Sequence, residues 1–420
     1  MKLQKRFRKI LATLALVGLV ACGQPKAMAT PGQTPPPGPS SSPAATPSTA
    51  INAPTEVIRG LNSFSYKLYQ PVAKSLQGNL AVSPIGSYIL LGLLHEGAVG
   101  PAKAEIEAVI GLPKDGLPAM AKLVSELDQR QSLALAQKIY IDSSVSLVPA
   151  FQAAVAPLLT DPVQALSFSA DAVAATKVIN DWVEQKTSGF IKDFLPTLPA
   201  ETSSVLVSAL HFKGNWKSQF DKKATRPAEF HPTPTETLTV PMMVQEDVRS
   251  VEVAGGTAVI LPYEEDFDML FLLPKPEQSL DDLAKRLDLT ALPRQTRGGA
   301  KVILELPRFE FTVPTFQLTD AWRETGLEKT VTGPDLSGMF ENAPDNLEIK
   351  VFHKTYIRVD EEGTEAAAAT GAVVAITSVP APPAVLTFDR PFMFVLRHSG
   401  TGAVLMLGRV ERPEETTSES

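Results

Sequence analysis

The apolar residues of this chain change their spacing part-way along, and that change restricts the fold more than any other feature. Thr55 to Lys74 and Ile89 to Ile110 carry apolar residues at helical spacing. Asp171 to Phe194 reads as a long amphipathic stretch, with Val178, Ile179, Trp182, Val183 and Ile191 on one side. Beyond residue 203 the pattern becomes short, nearly continuous apolar runs: 204–212, 257–262, 269–273, 301–306, 392–397 and 403–407. Runs of that length and composition are strands. Helices early and strands late predict an α+β fold with a largely antiparallel sheet. No linker, repeat or low-complexity run interrupts residues 53–413, so they are expected to form one large domain. Hydrophobic residues, 44% of 420, can fill its core.

The N-terminus reads as a targeting segment. Lys2, Lys5, Arg6, Arg8 and Lys9 precede an apolar run, Ile10 to Val20, that is too short to span a bilayer. LVACG at 19–23 resembles the bacterial lipoprotein box around Cys22, the sole cysteine. The expectation is a signal peptide over 1–21, with lipid carried on Cys22 and binding a membrane. Residues 22–52 are rich in Pro, Ser and Thr (TPPPGPSSS at 34–42) and form a semi-extended linker. Residues 414–420 are a polar tail. The chain is expected to be exported, an envelope lipoprotein facing the periplasm or the extracellular space. With a single cysteine, no disulfide can form within the chain.

The charge balance, 39 basic against 46 acidic side chains, argues against nucleic acid as a partner. Enzyme signatures are missing: there is no Gly-x-Ser-x-Gly elbow, phosphate-binding glycine loop or His-Glu-x-x-His helix. His95, His211, His231, His353 and His398 show no ligand spacing. No catalytic residue, metal site or cofactor is expected. Residue chemistry alone favours a binding or inhibitory protein over an enzyme.

One segment is ambiguous in conformation: EEGTEAAAATGAVVAIT at 361–377. Its four alanines favour helix, the two flanking glycines and β-branched residues do not, and Val373 to Thr377 reads as strand. Pro380, Pro382 and Pro383 follow.

Together with this segment, several motifs resemble the serpin family, in the right order over residues 53–413. They are NLAVSPI (79–85), GAVG (97–100), INDWV (179–183) with TSG (187–189), HFKGNW (211–216), VPMM (240–243), EEGTEAAAA (361–369), DRPFMF (389–394) and LGRV (407–410). The resemblance implies the serpin fold, with helices around a large central, mostly antiparallel sheet, further sheets and an exposed reactive loop. It also implies a monomeric suicide inhibitor of serine proteases that forms a covalent acyl complex. In such a mechanism the cut loop inserts into the central sheet as a new strand.

The hinge is then Glu361, Glu362, Gly363, Thr364, Glu365, Ala366, Ala367, Ala368 and Ala369. Thr364, Ala366, Ala368 and Thr370 would share one face of the inserted strand, where small side chains enter a packed interior without overpacking it. Thr364 is expected to be exposed with the rest of the loop before cleavage. The reactive bond falls at Thr377–Ser378; its aliphatic surroundings imply an elastase- or subtilisin-like target. Ser83, Trp216 and His353 match the region where the sheet opens. Gly86 and Ser208 depart from the family's usual serine and asparagine, and Thr330-Val331 from Ala-Phe. The alternative is a serpin fold without inhibition, serving as a surface binding or structural protein.

Overall fold

The computed structural model describes residues 55–114, 116–292, 298–342, 351–364 and 383–413. The first helix, α1 (Thr55–Ser75), buries Val57, Leu61, Phe64, Leu68 and Val72, a stripe repeating every three or four residues. The second, α2 (Pro84–Gly97), is buried on nearly every side and runs through the core. The helical run expected over 89–110 is two helices, with α3 (Pro101–Ile110) the second. Gly100 takes φ 60°, ψ −132°, a conformation open to glycine, and Pro101 restarts the helix at its first turn.

Next come α4 (Gly116–Asp128), α5 (Pro149–Val155) and α6 (Ala172–Lys186). Asp171 caps α6 by accepting the Ala174 N–H at 2.9 Å. The amphipathic stretch expected to reach Phe194 leaves the helix at Lys186, and left-handed residues follow at Ser188 and Gly189. Ile191 and Phe194 are still fully buried, from the irregular segment beyond the helix. Val178, expected on the apolar side, is 39% exposed on the outer face instead.

In chain order the strands are β1 (Leu80–Val82), β2 (Leu133–Asp142), β3 (Gln164–Leu166), β4 (Ser204–Phe212), β5 (Gly214–Asn215), β6 (Arg226–Thr233), β7 (Glu236–Val253) and β8 (Gly256–Pro262). After them come β9 (Phe267–Pro274), β10 (Ala300–Pro307), β11 (Phe309–Gln317), β12 (Phe352–Val359), β13 (Gly363–Thr364), β14 (Ala384–Thr387), β15 (Phe392–His398) and β16 (Val404–Val410). A nine-stranded sheet has the order β1-β16-β15-β9-β8-β7-β10-β14, with β6 also on β7. Its pairs are antiparallel except β10–β14. The α+β class and the mostly antiparallel pairing expected from the sequence are both present.

The other long strands form two half-sheets, β3-β2-β4 and β11-β12. Their facing edges, β4 and β12, run parallel and meet in the described residues at one bridge, Leu206 to Val351. Over this seam lies a second, smaller core, in which Ile179 and Val183 of α6 pack with Ala136, Val205 and Phe352. The main core lies between the nine-stranded sheet and helices α1 to α3.

Within the nine-stranded sheet, β9 and β15 are buried on both faces. Such strands are expected to be apolar, yet Asp268 and Arg397 face each other across the pair. Arg397 donates two bonds to the Asp268 carboxylate, at 2.6 and 3.2 Å. Burial pushes the Asp268 carboxyl up, and the guanidinium opposes that shift. Asp268→Ala would leave a buried arginine uncompensated. The expected loss is about 3–5 kcal/mol of unfolding free energy, measured by urea denaturation.

Candidate functional site

The chain leaves the end of β12 at Val359, and the next five residues are held in a tight, buried cluster. Asp360 organises the turn. Its Oδ1 accepts the N–H groups of Glu362 and Gly363 at 2.9 and 3.2 Å, and its own N–H donates to Gly363 O at 3.0 Å. Arg358 balances its charge through an ion pair of 3.1 Å. The turn reverses the chain, so β13 pairs antiparallel with β5, the short continuation of β4.

Gly363 has φ 154°, and a Cβ there would lie 2.0 Å from Gly214 O, so only glycine fits this approach. Trp216 donates its indole N–H to Asp360 O at 2.9 Å and stacks on Tyr263 at 4.2 Å. The Tyr263 hydroxyl in turn bonds Thr364 Oγ1 at 2.8 Å. Burial raises the Tyr263 pKa far above the ordinary tyrosine value, so the hydroxyl stays protonated. Glu361 accepts from Thr225 Oγ1 at 2.7 Å and faces Arg308 at 3.6 Å, while Glu362 pairs with Lys222.

Thr364 is therefore 3% exposed, not free in an exposed loop. Its β13 pairing and its bond to Tyr263 already hold it. An arginine at 364 would disturb the folded state as well as any later movement of the loop. Glu365, Ala366, Ala367, Ala368, Ala369, Thr377, Ser378 and Cys22 lie outside the described residues.

The other expected residues lie further down the seam. Ser83, the N-cap of α2, donates its backbone N–H to His353 Nε2 at 3.1 Å, which joins α2 to β12. His353 is thus the acceptor-Nε2 tautomer, and complete burial lowers its pKa to about 4. Ser208 stands on β4 at the level of His353, two residues beyond the Leu206–Val351 bridge. Its Oγ accepts from Gln137 Nε2 at 2.9 Å. A Cβ on Gly86 would come within 2.2 Å of that oxygen, so the two departures from the usual family residues occupy one shared space. Ser83 Oγ and Gln137 Oε1 are buried there without a partner among the described residues. Ser83 and His353 thus meet at mid-seam, while Trp216 belongs to the hinge cluster at its end.

Several residues of the site escaped the sequence reading, and the segment after α6 holds most of them. Phe190 lies between the two half-sheets. It stacks on His211 of β4 at 4.7 Å and on Tyr356 of β12 at 5.1 Å. Lys354 of β12 donates to the Asp193 carbonyl at 3.3 Å and also to that of Lys192, and Thr315 of β11 donates to Phe194 O at 2.9 Å. Asn180 of α6 binds both backbone groups of Leu195. The segment therefore ties α6 to the far half-sheet across the seam. The TSG at 187–189 was the one local signal of a turn there.

A sheet split into two half-sheets, with a glycine-pinned strand turned back at one end of the seam, defines the class of fold. Residues 59–413 match the family described as Serpin (serine protease inhibitor). The chain is 32% identical to Serpin-Z2B of Triticum aestivum, over 83% of this chain and 94% of that one. It is 31% identical to an uncharacterised serpin-like protein of Thermococcus kodakarensis, over 86% of each. Among solved structures it resembles Serpin48 of the insect Tenebrio molitor, a highly specific serpin, with a TM-score of 0.75, 27% identity, and 86% and 98% of the two chains covered. Cleaved Serpin 42Da aligns with a TM-score of 0.76 and 29% identity, over 86% and 99%. The chain belongs to the serpin family.

Three buried histidines, two of them in the site, carry a pH dependence. Burial lowers His353, His211 and His398 to about 4 each, from an ordinary 6.5. The unfolded chain binds protons that the folded one refuses, so this stability is fully present above pH 6.5 and is lost as pH falls towards 4. Between those limits unfolding free energy should drop by about 1.4 kcal/mol per pH unit for each histidine. Urea midpoints taken from pH 7 to 4.5 check the slope, and His353→Gln should reduce it by one histidine's share.

Proposed function

We propose that this chain is a suicide inhibitor of serine proteases that acts by inserting its own cut loop between β4 and β12. The seam between these strands is the single observation that carries the reading. They run parallel and are joined in the described residues by one bridge. A strand turned back from the end of β12 runs antiparallel to both, so it can form a ladder on each side. Gly363 and Thr364 already have that direction, paired antiparallel on β5. The small residues that follow, Ala366, Ala368 and Thr370, suit the inward face of such a strand.

The chemistry belongs to the protease. Its serine attacks the Thr377 carbonyl, an ester to Thr377 forms, and the new amino group of Ser378 leaves. The chain supplies no catalytic group. Insertion then carries the acyl-enzyme away with the loop before water can release it. Val374, Ala375, Ile376 and Thr377 suit elastase- or subtilisin-like pockets. The inhibitor acts as a monomer, tethered to the bacterial envelope by lipid on Cys22. The second reading, a serpin fold used for binding without inhibition, draws support from the unpartnered Ser83 Oγ and Gln137 Oε1 at mid-seam, where the usual family residues are replaced.

A denaturing gel of the chain mixed with elastase or subtilisin separates the two readings. Inhibition yields a covalent complex and a C-terminal fragment that begins at Ser378. Ala366→Arg would have to bury an unpaired guanidinium during insertion, at a cost of several kcal/mol, of order 3–5. That variant should be cut at the same bond and released, with many molecules consumed per protease inactivated. One-for-one trapping by Ala366→Arg would rule out insertion past that residue.

The envelope assignment has its own measurement. One acyl chain holds a protein only marginally, so a stable anchor needs more than one. Cys22→Ala should move from the membrane pellet to the soluble fraction of expressing cells. Its retention in the pellet would overturn the anchor without touching the inhibitory reading.

A further inference from the structure

A shallow, open cavity of about 540 Å³ lies between α6, β2 and β3. Its residues include Lys138, Asp161, Val163, Gln164, Trp182 and Lys186. Lys138 is 7% exposed and sits on β2, which otherwise alternates between two cores. Its Nζ donates to Gln164 Oε1 at 2.8 Å and lies over the rings of Tyr140 and Trp182, at 4.9 and 5.4 Å. Among the described residues no carboxylate forms an ion pair with it. Asp161, the acid of the cavity, is held by Lys186 at 2.9 Å and by the Trp182 indole N–H at 2.7 Å.

A buried ammonium facing neutral partners is costly, and aromatic faces offset only part of that cost. Desolvation accordingly lowers the Lys138 pKa; the Asp161 carboxylate opposes that shift and Lys186 adds to it. Two lysines against one aspartate leave a single positive charge at the mouth of a cavity of ligand size.

We propose that this cavity binds a small organic monocarboxylate, its charge on Lys138 and its flat apolar body against Trp182 and Val163. One negative charge balances the site, whereas a phosphate dianion overshoots it. The Gln164 amide, with its oxygen on Lys138, has its N–H groups left to donate to the second carboxylate oxygen. A lysine on β2 and a tryptophan on α6 make the ligand a bridge between helix and sheet. The proposal stands whether or not the chain inhibits proteases, and its test uses no protease.

Benzoate is the probe, with benzamide as the neutral isostere and inorganic phosphate as the second anion, in low-chloride buffer. Calorimetric titration of the full chain should show saturable benzoate binding, with Kd on the order of 0.1–1 mM for so small a ligand. Benzamide and phosphate should each bind about tenfold more weakly, the first for want of charge and the second for want of an apolar body. Lys138→Met keeps the volume and should lose benzoate by a similar, about tenfold, factor. Gln164→Glu places a carboxylate beside the ammonium. It should block benzoate while raising the Tm, and it carries the test should Lys138→Met fail to fold. Absence of saturable binding, equal binding of benzamide or phosphate, or undiminished binding in Gln164→Glu would each overturn the proposal.

Discussion

Two strand edges that face each other and pair, among the described residues, at a single bridge are an expensive arrangement, and much of this molecule is organised around keeping it. Backbone N–H and C=O groups along β4 and β12 call for partners, and an open edge invites any passing strand. The separation is maintained from both sides of the sheet. Beneath it, α2 starts at Ser83 and reaches β12 through His353. Above it, α6 packs on the near half-sheet, and its trailing segment is pinned to the far one through Lys354 and Thr315. Phe190 fills the space between, an aromatic ring with one face on each half. Stacked pairs of this kind are worth roughly 0.5–1.5 kcal/mol each beyond their burial, small enough to be broken and large enough to hold register.

The hinge cluster fixes the end of the seam by different means. Its bonds are short-range and mostly to backbone, drawn from three consecutive acids and the aromatic pair Trp216–Tyr263. Three carboxylates so close together repel, and Arg358, Arg308 and Lys222 make the cluster tolerable. The turn is consequently stiff. It fixes the direction of Gly363 and Thr364 along β5.

Much of the architecture was legible in the sequence because it rests on periodicity. The stripe Val57-Leu61-Phe64-Leu68-Val72 and the nearly continuous apolar runs at 269–273 and 392–397 each favour one secondary structure. Periodicity failed where single residues override it. Gly100 and Pro101 split a continuous helical pattern, and Ser188 and Gly189 ended another before its apolar residues ran out. Motifs marked the hinge segment and Ser83, Trp216 and His353, yet they could not report contacts between distant segments. Nothing local to Thr364 announces a hydroxyl from Tyr263, and nothing local to Phe190 announces rings from β4 and β12. The replacements at Gly86 and Ser208 looked like two separate losses in sequence. In space they are one adjustment, because the missing Cβ makes room for the Ser208 hydroxyl.

The turn at Asp360–Gly363 also sets a competition. It joins the end of β12 to the chain that follows by so short a path that, in the proposed insertion, this chain would meet the seam as an intramolecular partner. Short tethers give effective concentrations in the millimolar range. A strand offered by another molecule at micromolar abundance competes against that at a disadvantage of roughly a thousandfold. Under the proposed insertion, connectivity thus favours the chain's own strand over a foreign one for as long as the hinge bonds keep the tether short.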